Sequence, residues 1–215
     1  MKRAVLFLCL LAFCKLTPLA QPRVVPRDVP AAERAASDSL PEEAPAALKT
    51  IYSNLGKKGE SYTPGGFLLA GPNSLEGATI FTAMPFTPKS DAHVSQVQVA
   101  ALYISGGNQI NLSIYSDSGG VPGTLLAGPT TVTNLPTHGT CCTLDIAGFT
   151  PVAVVAGTQY WVVADTPLTG PGSDFEGEWG ESTRPIFPSA FDRGTGWFSA
   201  SVDLLPSGVV RGTIP

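Results

Sequence analysis

An antiparallel two-sheet β-sandwich is the fold class this sequence predicts, jelly-roll-like or immunoglobulin-like, and three observations point to it. Charged residues make up only 14% of the 215-residue chain while Gly (23) and Pro (20) are frequent, a balance that suits many turns between short strands. The stretch Asn111 to Gly128 reads as a hairpin: Ile110, Leu112 and Ile114 alternate with Asn111, Ser113 and Tyr115, the period of a strand with one face buried. Asp117, Ser118, Gly119, Gly120, Pro122 and Gly123 then supply turn chemistry, and Thr124 to Ala127 returns. Finally, some ten or more short apolar runs follow one another with no alternating helical period, which disfavours a parallel α/β sheet.

Met1 to Ala20 has the layout of a secretory signal peptide. Lys2 and Arg3 precede the apolar run Ala4 to Cys14, and Thr17 to Ala20 offers a cleavage region. The apolar run is too short for a permanent span, so no transmembrane segment is expected in the mature chain. Leu11, Ala12, Phe13 and Cys14 offer an alternative, a bacterial lipobox with Cys14 lipidated, which the bulky Phe13 fits poorly. Residues 21–47 are rich in Pro, Ala, Glu, Arg and Ser without an aromatic residue, and read as a disordered leader. The sandwich is expected over 48–215, starting where Ile51, Tyr52 and Leu55 bring back large apolar side chains.

Strands are expected at Phe67–Ala70, Ala78–Phe86 and His93–Ile104, the last carrying apolar residues on both parities and therefore a bulge or a central position. Beyond the hairpin, strands are expected at Thr130–Leu135, Cys142–Ile146, Val152–Val155 and Thr158–Asp165. A Gly/Pro/acidic loop follows from Pro167 to Glu178, and then strands at Ile186–Phe191, Trp197–Val202 and Val209–Ile214. Tyr160, just after the turn at Ala156 to Gln159, stands where sandwich domains place a corner tyrosine or, equally, a core aromatic.

The segments FTP at Phe86 to Pro88, YSDSGGVPG at Tyr115 to Gly123, the Cys141 and Cys142 pair and AGTQYWVVA at Ala156 to Ala164 resemble bacterial exported domains of the choice-of-anchor type. The resemblance covers roughly Leu48 to Pro215. It implies an extracellular β-sandwich of unassigned biochemical role, and it brings no catalytic residues. The chain departs from the anchored pattern in having no apolar helix and basic tail after Ile214, so the expectation is release or anchoring through Cys14.

The candidate chemistry is sparse. Net charge −4 and a pI near 5.1, without a basic stripe, argue against a nucleic-acid partner. Removing the leader takes away Cys9 and Cys14 and leaves Cys141 and Cys142, which in an oxidising compartment either bridge each other through a distorted turn, the expected outcome, or stay as two thiols. Asp174, Glu176 and Glu178 share a side if their Gly-rich loop is extended, carboxylates of the kind a Ca²⁺ ion takes, although a solvated acidic loop explains them as well. Tyr115, Trp179 and Trp197 are the aromatics nearest loops, the kind of ring on which exported sandwiches stack sugars. His93 and His138 are the only histidines, and no nucleophile elbow, metalloprotease or phosphate-loop motif occurs, so no enzyme is expected. Two readings stand: a secreted or cell-surface module binding an extracellular glycan or a surface protein, and a structural spacer with no small ligand.

Overall fold

The computed structural model describes residues 47–56, 62–183, 189–200 and 204–215, all within the compact unit Pro45–Pro215. The signal peptide and nearly all of the leader expected from sequence fall on residues 1–46, outside the described residues. Among the described residues there are thirteen strands and no helix. They are β1 (Lys49–Ser53), β2 (Thr63–Ala70), β3 (Phe81–Phe86), β4 (Ala92–Val99), β5 (Ala101–Ser105), β6 (Gln109–Asp117), β7 (Pro122–Thr133), β8 (Asp145–Val154), β9 (Tyr160–Asp165), β10 (Glu176–Glu181), β11 (Ser189–Asp192), β12 (Trp197–Ala200) and β13 (Gly208–Thr213).

The strands form three antiparallel sheets. One has four strands in the order β1-β13-β4-β8, one has six in the order β12-β11-β3-β9-β6-β7, and a third has three in the order β2-β10-β5. The main core draws Val94, Val97, Val99 and Val210 from the four-stranded sheet and Met84, Phe86, Ile110, Leu112, Ile114 and Val162 from the six-stranded one. That is a β-sandwich. Leu69, Leu102 and Trp179 of the three-stranded sheet join the same core, so one apolar interior serves all three.

The hairpin at Asn111 forms as its sequence suggests. Ser118 N–H donates to Val121 O at 2.8 Å, Gly120 N–H donates to Asp117 Oδ2 at 3.2 Å, and Gly119 and Gly120 take the positive φ values (67° and 89°) that glycine tolerates without strain. The return arm, β7, is longer than expected and absorbs the strand read at Thr130. It meets β6 with repeated register shifts.

Three segments differ from the sequence reading. His93–Ile104 is two strands in different sheets, β4 pairing with β13 and β8 and β5 pairing with β10. The chain changes sheet at Ala100, which explains why both parities are apolar. The expected strands at Cys142 and Val152 are one strand, β8, with a register shift opposite Val94 and Gln96, and Cys142 lies before it. The acidic loop ends earlier than expected, because Glu176 and Glu178 already belong to β10 between two partners. The expected strands over 186–191 and 197–202 are seen as β11 and β12, with 186–188 and 201–202 outside the described residues.

Tyr160 satisfies both of its readings. Its ring is buried in the core and stacks on Phe86 with centroids 5.6 Å apart, while its hydroxyl accepts the N–H of Val155 at 3.0 Å. The turn entering β9 is thereby tied to the strand that leaves it.

Candidate functional site

Alternate residues of β6 and β9 enter the core, so Asn111, Ser113 and Tyr115 and Trp161, Val163 and Asp165 point to the outer face of the six-stranded sheet. The pairing aligns them in rows: Tyr115 opposite Trp161, Ser113 opposite Val163, Asn111 opposite Asp165. Ala83 of β3 and Ala190 of β11 continue the row of Val163, and Trp197 of β12 stands opposite Asp192 of β11. Ala83, Trp161, Val163 and Ala190 are buried there as a second apolar cluster, and Tyr115, Val121 and Trp197 pack on it while keeping part of their surface exposed.

Polar groups flank that cluster. Asn111 Nδ2 donates to Asp165 Oδ1 at 3.0 Å, and Thr131 Oγ1 donates to Asn111 Oδ1 at 2.9 Å. At the hairpin end, Asp117 Oδ1 accepts Trp161 Nε1 at 2.7 Å and Gln159 Nε2 at 2.9 Å. Burial pushes the Asp165 carboxyl up to about 6, against the pull of the Asn111 hydrogen bond. The Tyr115 phenol is raised first by burial and then by the charge of Asp165.

The three aromatics singled out from sequence are not together. Tyr115 and Trp197 share this face, but Trp179 is fully buried in the three-stranded sheet, its indole N–H donating to Ser207 O at 2.7 Å. Its ring has no exposed surface on which a sugar stacks. Trp161, Asn111 and Asp165 were not singled out from sequence. Their signal lay in strand parity: Trp161, Val163 and Asp165 occupy the alternate positions of a strand whose other positions are apolar.

The acidic residues also separate. Asp174 Oδ1 accepts the N–H of Gly107 at 3.0 Å, in a turn before β10. Glu178, on β10, has its Oε2 3.2 Å from His138 Nδ1, and Oε2 of Glu176 is buried without a hydrogen-bond partner among the described residues. Among the described residues no three His, Cys, Asp or Glu side chains gather into a set that would hold a metal ion.

Cys141 and Cys142 have their sulfurs in bonding contact, with Cα atoms 3.1 Å apart across a cis peptide bond. Their sulfurs lie 3.7 and 4.0 Å from the carbonyl oxygen of Tyr62, whose hydroxyl donates to Thr143 O at 2.8 Å. That loop is held against Tyr62 and stands apart from the outer sheet face. A cleft of about 760 Å³ runs between β7 and β8, but the residues lining it, from Ser95 to Val152, include no charged side chain.

Neither the models of known protein families nor the curated proteins compared with this chain match it.

Proposed function

We propose that the chain is an exported, non-catalytic β-sandwich module that binds carbohydrate outside the cell or at its surface, on the outer face of the six-stranded sheet. One observation carries the reading: Tyr115 and Trp197, each partly exposed, lie on a single sheet face that also holds the Asn111–Asp165 pair. Aromatic rings take the apolar C–H faces of a sugar, and a hydrogen-bonded amide and carboxyl take its hydroxyls. A sheet face is a rigid platform, so little side-chain order remains to be imposed on binding. The resemblance to choice-of-anchor domains supports export, and anchoring at Cys14 is the alternative to release.

The structural spacer is the second reading, favoured by how far the polar groups of this face already satisfy one another. Asp117 accepts three hydrogen bonds from its own surroundings, and Asp192 Oδ1 accepts the N–H groups of Gly194 and Gly196 at 2.8 and 3.0 Å. A polysaccharide panel, run with Ca²⁺ and with chelator, separates the two. Binding that Tyr115→Ala and Trp197→Ala each weaken about tenfold, with the fold retained, supports the glycan site. A loss confined to chelator and to Glu176→Ala moves the site to the acidic strand, and silence across the panel leaves the spacer.

A further inference from the structure

A second recess, on the opposite side of β11 and β12 from Trp197, is independent of the glycan reading. It is a pocket of about 380 Å³ where β2 of the three-stranded sheet faces the β11–β12 hairpin. Phe67, Leu68, Ile80, Phe191 and Phe198 line it, and Arg193 stands with them. The three rings form a chain, Phe67 to Phe191 at 5.5 Å and Phe191 to Phe198 at 6.0 Å between centroids, tilted by 36° and 39°. Phe198 keeps 41% of its surface exposed, a large aromatic left open at a pocket wall.

Arg193 decides the chemistry. Its neighbour Asp192 is the nearest carboxylate in sequence, but Asp192 Oδ1 is engaged by Gly194 N–H and Gly196 N–H in closing the turn. The one ion pair among the described residues joins His138 and Glu178, so the Arg193 guanidinium pairs with no carboxylate there. An unpaired guanidinium beside an aromatic wall is complementary to an anion borne on a flat apolar body: the fork of N–H groups takes a carboxylate through two hydrogen bonds, and the rings stack on the body. A sugar is a poor match, since no other side chain of this lining has a hydrogen-bonding group. The volume is at the small end of ligand pockets, roughly 300–1,000 Å³, which suits a molecule of one or two fused rings.

We propose that this pocket binds a small aromatic carboxylate, with Arg193 on the anion and Phe67, Phe191 and Phe198 around the ring. The test is a fluorescence titration of the full chain with 2-naphthoate and with the neutral 2-naphthamide. Saturable binding of naphthoate, at least tenfold tighter than the amide, is expected. Arg193→Gln, at an exposed position, should abolish that preference while leaving amide binding within twofold. Phe198→Leu and Phe198→Ala should weaken both ligands, and Tyr115→Ala, on the other side of the sheet, should change neither. The proposal is overturned if naphthoate shows no saturation, if its preference survives in Arg193→Gln, or if Tyr115→Ala removes the binding. Because the glycan panel reads a different face, either proposal can fail without the other.

Discussion

Asn54 is the residue on which several strands converge. It is fully buried immediately after β1, and its side chain donates to Pro206 O at 2.8 Å and accepts the N–H of Gly208 at 2.8 Å. Its backbone carbonyl accepts Ser182 Oγ at 2.5 Å. Truncating it strands a buried carbonyl and a buried N–H, so Asn54→Ala is expected to cost about 2–4 kcal/mol in urea unfolding. Tyr160→Phe removes one acceptor but keeps the ring on Phe86, and its expected cost is about 1 kcal/mol. A loss as large as that of Asn54→Ala would show that the hydroxyl at Val155 matters more to the fold than one hydrogen bond does. Gly106 combines a φ of 82° with a Cβ position that falls on the Asp174 carbonyl, so Gly106→Ala should lose at least about 2 kcal/mol by the same measurement.

At the scale of the element, the segment between β7 and β8 is tethered at both ends of its path. Tyr103 N–H donates to Pro136 O, His138 N–H donates to Tyr103 O, and Tyr62 holds Thr143. Cys141 and Cys142 lie inside that tethered segment with no third cysteine in the chain beyond Cys14. The adjacent pair is therefore expected to be a disulfide in an oxidising compartment. Thiol titration of the chain lacking residues 1–20, denatured without reductant, should find none and should find two after reduction. Two thiols before reduction would mean the pair is held as dithiol, and a reducible dimer would mean it bridges chains. The hairpin β6–β7 teaches a different lesson about elements: its turn was legible because Asp117, Gly119 and Gly120 act locally, whereas the length of β7 depends on β6 alongside it.

For the molecule as a whole, two carboxyls buried at different sheets give stability a common pH dependence. Burial raises Asp145 to about 7 and Asp165 to about 6, from ordinary values near 3.8. As pH rises above about 4 the unfolded chain releases these protons while the folded chain keeps them until about 6 to 7. The folded state binds more protons through that window, so their contribution to stability is present at low pH and is lost as pH rises toward 7. The urea midpoint is expected to fall between pH 4.5 and 7.5. Asp145→Asn should flatten that fall and exceed the parent in stability at pH 8; an unchanged slope in both Asp145→Asn and Asp165→Asn would refute the assignment.

The sequence by itself determined the class of fold, because period-2 alternation and Gly/Pro/Asp turn chemistry are local properties that each short segment carries. Ile110 to Tyr115, the turn at Asp117 and the corner at Tyr160 were readable for that reason. It did not determine which sheet a strand joins: the change of sheet at Ala100 looked like a bulge, since apolar residues on both parities fit either arrangement. Nor did it separate Trp179 from Trp197. Both sit near glycines and acidic residues in the chain, yet Trp179 pairs between β2 and β5 inside the core while Trp197 lies on an outer strand. Exposure, the meeting of Asn111 with Asp165 and the placement of Arg193 in one pocket wall with three phenylalanines are all set by pairings between residues distant in sequence. Only tertiary structure decides these, because a side chain's surroundings depend on the register of strands that local propensity does not specify.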